Sequence, residues 1–186
     1  MSRIYTWPED LPATLEGLYE AIVDRTGDKL VPSGELSSIA HNAGAGDAVV
    51  VVLDAGVRDG VSTSDVLEGV RSLALLKDVV VVFVVGDGYL GTDDPDLSTS
   101  MSAAAAVSAA RSVSIRRRAG TRANVVCIPG SFFGDVGSQR GPLAQAVECT
   151  DVAAAAAFFL GDEATYVNGQ VLFVNGGRQV FSSMSA

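Results

Sequence analysis

Residues 47–53 read DAVVVVL and residues 79–85 read VVVVFVV, two runs in which β-branched side chains follow one another almost without polar interruption. Valine is stiff about its first side-chain torsion and favours extended backbone. A strand with one wet face would alternate apolar and polar residues. A strand that is apolar at every position has to be covered on both faces, which is the situation of a parallel sheet between two layers of helices. Between the two runs, residues 64–76 place Val66, Leu67, Val70, Leu73 and Leu76 at helical spacing. Strand, helix and strand in that order predict a βαβ unit, and so an α/β fold with a parallel sheet.

The alternation continues downstream. Residues 86–100 form a loop rich in Gly, Asp and Ser that contains Pro95, and residues 101–118 form an Ala-rich helix with Gly120 as its stop. A third strand spans 124–128 and closes on Pro129-Gly130. Residues 131–148 are an irregular connection. Thr150 or Asp151 caps a helix over 152–160, and a last strand over 171–174 precedes Asn175-Gly176-Gly177. Upstream, residues 3–6 suit a short strand. Residues 11–25 suit a helix with Leu15, Leu18, Tyr19, Ile22 and Val23 on one face and Pro12 in its first turn. Ser33 can cap a short helix over 33–42. No repeat or linker divides the chain, so residues 1–186 are expected to form one domain.

Composition narrows the function classes. The chain is 48% hydrophobic and 19% charged, which supplies a core and excludes disorder. A net charge of −9 opposes binding to a phosphate backbone, so nucleic acid is not an expected partner. The one basic cluster, Arg116, Arg117 and Arg118 with Arg122 beyond, lies at a helix end where cations complement the dipole. No apolar run approaches the ~20 residues of a membrane helix. The first residues lack the apolar core of a signal peptide, so a cytoplasmic protein without membrane contact is expected. Cys127 and Cys149 read as free thiols. His41, the single histidine, has no second ligand type beside it and makes no metal site.

Three segments carry a resemblance. Residues 151–177 (DVAAAAAFFLGDEATYVNGQVLFVNGG), residues 110–130 (ARSVSIRRRAGTRANVVCIPG) and residues 47–57 (DAVVVVLDAGV) occur in this order. Together they resemble the later signatures of the short-chain dehydrogenase/reductase (SDR) family. The resemblance covers residues 47–177 and leaves 1–46 divergent. It implies a Rossmann-like parallel sheet with helices on both faces, in which the first mononucleotide half is reduced or rebuilt. Ligands of such sheets bind beyond the carboxyl ends of the strands.

The residues that perform the family's reaction are missing. Family members use a tyrosine acid/base made more acidic by a lysine four residues on, and a serine that polarises the carbonyl. By the resemblance the tyrosine belongs near residues 98–101, the lysine near 102–105 and the serine near 86–88. None of these residue types stands there. The tyrosines are Tyr5, Tyr19, Tyr89 and Tyr166, the lysines are Lys29 and Lys77, and no Tyr-x-x-x-Lys occurs anywhere. A phenol with its ordinary pKa near 10 is a poor base at neutral pH without a cationic neighbour. The family's Gly-rich cofactor turn is absent as well, since the first thirty residues hold only Gly17 and Gly27. PGSFFG places Gly134 where the family has a threonine that reaches the nicotinamide.

GDGYLG (residues 86–91) matches G-x-G-x-x-G, but the acidic TDDPD follows where a helix should start, so it is read as a decoy. Asp54, Asp87, Asp93, Asp94 and Asp96 are read as solvated loop carboxylates near strand ends. No catalytic, cofactor-binding or metal residue is therefore assigned. The resemblance implies a catalytically inactive SDR-like subunit. Its expected partner is a catalytic SDR paralogue in a heteromeric, tetramer-like dehydrogenase. NAD(P) is held by that partner and none by this chain, and the substrates are acyl-CoA thioesters or similarly bulky molecules. The alternatives are an SDR-fold enzyme with a relocated active site, Tyr89 and Asp87 being its first candidates, or a non-catalytic binding module. Asp54, Tyr89 and Arg140 are the loop residues that could reach a partner's site.

Overall fold

The computed structural model describes residues 2–53, 63–87, 97–115, 120–130, 143 and 145–178. In chain order these build β1 (Arg3–Trp7), a 3-10 turn (Ala13–Leu15), α1 (Leu18–Thr26), β2 (Lys29–Pro32), α2 (Leu36–Asn42) and β3 (Ala48–Leu53). There follow α3 (Thr63–Leu73), β4 (Val80–Gly86), α4 (Leu97–Ile115), β5 (Arg122–Ile128), α5 (Cys149–Leu160), a 3-10 turn (Asp162–Ala164) and β6 (Val171–Phe173). The strands form one six-stranded sheet in the order β2-β1-β3-β4-β5-β6, and every pairing is parallel.

The apolar runs do what their composition requires. Every residue of β3 is buried, and so is all of β4 after Val80. Alternate side chains serve opposite layers. Val49, Val51, Val81, Phe83, Val85, Val125 and Cys127 pack with residues of α2 and α4. Val50, Val52, Val82, Val84, Val126 and Ile128 pack with α1 and α5. Each buried valine contributes roughly 1.5–3 kcal/mol relative to exposure. On α4 the residues turned to the sheet include Ala106, Ala110 and Val113, all buried, and their small size lets the helix lie close over the strands.

Relative to a doubly wound 3-2-1-4-5-6 sheet, the strand beyond β2 is absent among the described residues and β6 extends the opposite edge, so that α2 leads straight back to β3. The reduced first half expected from the resemblance is this missing strand, while the leading βαβ unit is intact. The strand over Lys29–Pro32 was not foreseen. The single helix over 11–25 is in fact two pieces, because Gly17 takes φ +82 and separates a 3-10 turn from α1. The second helix starts at Leu36 with no side-chain cap, and Ser33 donates its hydroxyl to the Glu35 carbonyl.

Three further expectations need correction. The Ala-rich helix begins at Leu97 rather than 101 and is described to Ile115. At α5 the helix starts at Cys149. Thr150 is inside it, and Asp151 acts from the third position by accepting the Glu148 N–H at 2.9 Å. Arg122 opens β5 and serves another helix end than expected. Its guanidinium donates to the carbonyls of Phe159, Ala164 and Gly161 (2.9, 2.8 and 3.3 Å), closing the C-terminus of α5. Burial pushes its pKa down, against the opposing pull of Asp162. Arg116, Arg117 and Arg118 lie outside the described residues. Among the described residues, no helix is long and apolar enough to cross a membrane.

Candidate functional site

In a sheet of this order the chain reverses direction between β1 and β3, and the crevice for ligands opens there, beyond the carboxyl ends of the strands. The connection that leaves β1 enters that crevice. Trp7 is buried and its indole N–H donates to the Gly34 carbonyl at 3.3 Å, so the end of β1 is tied to the β2–α2 turn. Tyr19 donates its hydroxyl to the Pro8 carbonyl at 2.9 Å, drawing the connection down onto α1. Leu15 is fully buried within it.

A dinucleotide does not fit this connection in the family's manner. Its pyrophosphate needs glycines that let backbone N–H groups approach, and a helix N-terminus free of negative charge. Between Trp7 and α1 stand Glu9, Asp10 and Glu16, the first glycine is Gly17 at the helix boundary itself, and Glu20 occupies the first turn of α1. Carboxylates there repel phosphate.

Farther along the crevice, the ends of β4, β5 and β6 meet in a buried polar cluster. Asp87, directly after β4, is 3% exposed. One carboxylate oxygen accepts the Gly130 N–H at 3.1 Å, and the other accepts the Asn175 amide at 3.1 Å. The Arg178 guanidinium stands 3.6 Å from that second oxygen, itself almost wholly buried. The Gly177 N–H donates to the Asn175 side-chain oxygen, folding the turn after β6 over the pair. A buried carboxylate without such partners would be strongly disfavoured. Asp87 is thus not the solvated loop group expected from the sequence. The signal that could have found it is its place as the lone charge on an apolar strand end, with one arginine after the Asn-Gly-Gly turn.

The positions where the resemblance puts the tyrosine and lysine, 98–101 and 102–105, lie in the opening turns of α4. Neither tyrosine nor lysine stands among residues 98–105. His41 is exposed in the last turn of α2, its Nδ1 2.9 Å from the Ser37 carbonyl oxygen. Gly86 ends β4 and Asp87 follows it, while residues 88–91 of GDGYLG lie outside the described residues. So do Asp54, Tyr89, Asp93, Asp94, Asp96, Gly134 and Arg140. Among the described residues, no group of three or more His, Cys, Asp or Glu could hold a metal ion.

Comparison with known proteins agrees with this architecture. Residues 99–179 match the family model described as enoyl-(acyl carrier protein) reductase. The fold is similar to the enoyl-acyl carrier protein reductase of Bacillus cereus in complex with NADP+ and indole naphthyridinone (TM-score 0.70, 13% identity, 96% of each chain covered). It is similar to the 3-alpha-hydroxysteroid dehydrogenase of Pseudomonas sp. B-0831 complexed with NADH (TM-score 0.67, 19% identity, 100% of each chain). A short-chain dehydrogenase/reductase family oxidoreductase from Burkholderia thailandensis is a third likeness (TM-score 0.62, 21% identity, 95% of this chain and 92% of that one). Identities this low speak to the fold alone. No curated protein matches the chain in sequence.

Proposed function

We propose that this chain is a short-chain dehydrogenase/reductase relative that has lost hydride transfer and serves as a non-catalytic subunit. It assembles with a catalytic SDR paralogue in a heteromeric NAD(P)-dependent dehydrogenase, and the paralogue holds the nucleotide. The observation that carries this reading is the contrast within one segment. The family-matched stretch takes in most of α4 and all of β5, α5 and β6, yet no Tyr-x-x-x-Lys exists in the chain to use them. The acidic, glycine-poor β1–α1 connection supports the same view from the cofactor side.

Assembly has material to work with. The outward side of α4 carries small residues, including Ala104, Ala105 and Ser108, and ends on Ile115, which is 76% exposed. At the sheet's edge β6 exposes Leu172. Small residues let helices approach closely across a subunit boundary. The match to an acyl carrier protein reductase model favours acyl thioesters as the substrate class of the complex. A relocated acid/base at Asp87 is the weaker reading, because Gly130, Asn175 and Arg178 already engage its carboxylate.

The test is co-purification from the native host with mass determination of the intact complex. The expected result is a stable assembly with a full-length dehydrogenase carrying Tyr-x-x-x-Lys, whose turnover needs both chains. Purification as a homo-oligomer alone, or NAD(P)H-dependent turnover by the isolated chain, would overturn the proposal.

A further inference from the structure

The last strand and the turn after it are held by polar groups rather than by apolar burial. β6 is three residues long, and none of Val171, Leu172 and Phe173 is fully buried. In the turn that follows, Gly176 and Gly177 both take positive φ (65 and 86). Glycine loses more backbone freedom on ordering than any other residue, so this turn is costly to hold. The buried members of residues 171–178 are Asn175 and Arg178. Both reach one carboxylate, that of Asp87.

Backbone bonds add to this attachment. The Val174 N–H donates to the Cys127 carbonyl at 2.8 Å, and the Gly176 carbonyl accepts the Leu143 N–H at 3.3 Å. The second bond joins the turn to the connection ahead of α5. Asp87 also accepts the Gly130 N–H, so the ends of β4, β5 and β6 meet on a single side chain. The half-exposed side chains of β6 lose little when the segment leaves the sheet's end. The cost of leaving is concentrated in the ion pair and its hydrogen bonds. A half-broken pair in a buried place strands a charge and is strongly disfavoured. Lifting the whole segment instead returns both charges to water, so the attachment is made or released as a unit.

We propose that residues 174–178 are a latch on the crevice, with Asp87 as its catch. They open and close together, and when lifted they uncover the carboxyl ends of β4 and β5 while the rest of the chain stays folded. The arrangement described above is the closed form. Local units of this kind open at a free energy below that of global unfolding. Cys127 lies one step beneath the catch. Its thiol is fully buried, 3.7 Å from the Gly86 carbonyl oxygen. Phe173 stands opposite Cys127 in register and packs on the same layer, so lifting the end of β6 bares the thiol. The latch stands independently of the subunit reading, because every group in it belongs to this chain.

The test is native-state hydrogen exchange on the full chain, read by NMR in increasing urea. The amides of Gly130, Val174 and Gly177 donate within the catch or the turn. They are expected to exchange through one shared opening that depends little on urea. That opening should be at least ~10-fold more populated than the one that exposes Val50 and Val82, which are fully buried in β3 and β4. Arg178→Met should speed exchange at the three amides by about 10-fold or more. Thiol trapping of Cys127 in the Cys149→Ser chain leaves the cluster unaltered and keeps the test valid if Arg178→Met folds poorly. Its rate is expected to be flat at low urea and to rise only as global unfolding sets in. Four results would overturn the proposal: the urea slope of global unfolding at the three amides from zero denaturant, three unrelated opening equilibria, unchanged exchange in folded Arg178→Met, or trapping of Cys127 through global unfolding alone.

Discussion

Asp87 shows how one residue can invert a reasonable expectation. A carboxylate in a Gly-rich, Asp-rich stretch belongs in water by composition, and this one sits under the turn after β6. Its ionised form is tolerable because a backbone N–H, an amide and a guanidinium converge on it. Removing one partner of such a pair strands the other charge, at a cost of about 3–5 kcal/mol, while removing both is far milder. Asp87→Ala is therefore expected to destabilise the chain by about 3 kcal/mol or more, measured by urea denaturation. The double variant Asp87→Ala/Arg178→Met should recover much of that loss. If the double variant is as unstable as the sum of the singles, the ion pair is not what matters at this site. The lone charge at an apolar strand end hints at burial, but the partner is not legible locally, since Asn175 is 88 positions away.

Among the elements, the strands with continuous apolar runs were legible because burial on both faces leaves a composition that local reading detects. β2 was not. It is a four-residue strand ending in Pro32 with no apolar run, and it exists because β1 offers it an edge. Proline is tolerated at such an edge, where its missing N–H is not needed. Helix packing adds a constraint that propensity would miss. Gly69 lies inside α3, where alanine is ordinarily preferred by about 1 kcal/mol. At this position an added Cβ would fall 2.6 Å from Leu36 Cδ2 and 2.7 Å from its Cβ, on the facing helix α2. A clash with a side chain's own Cβ cannot be relieved by rotating its far end, so overpacking of about 1–3 kcal/mol is expected to win. Gly69→Ala should thus lower the thermal midpoint. A rise would show that α2 and α3 separate more freely than the packing implies.

For the whole molecule, the start of β1 is fastened to the start of β3 by Arg3 and Asp47. The Arg3 guanidinium meets both carboxylate oxygens (3.2 and 2.6 Å), while the N–H groups of Arg3 and Gly44 donate to the same carboxylate. Burial alone would raise the Asp47 pKa. The hydrogen bonds from Arg3 and Gly44 and the charge of Arg3 outweigh it and hold the carboxyl below its ordinary value. The hydrogen bond to Asp47 likewise raises the Arg3 pKa, against the effect of burial. A carboxyl whose pKa is depressed on folding binds fewer protons in the native state. Its contribution is complete above the unfolded value, about 3.9, and is lost as pH falls through the folded one. The urea midpoint should accordingly drop on acidification below about pH 4, and Asp47→Asn should flatten that limb while lowering stability at neutral pH. An acid limb with the same slope in wild type and variant would assign it to other carboxylates. The difference between the two chains isolates Asp47 from the relief of self-repulsion that acid brings to a protein of net charge −9. What the sequence determined by itself follows from local composition: a parallel sheet between helix layers, because β-branched runs must be covered, and a chain without a Tyr-x-x-x-Lys pair, because residue types can be read directly. Tertiary structure alone decided that Asp87 is buried with Arg178, that Arg122 closes α5, and that Phe158 is half-exposed while Phe159 is buried. Each depends on groups far apart in the chain meeting in space, where desolvation and partner geometry set the free energy, and neither is encoded in the residues on either side.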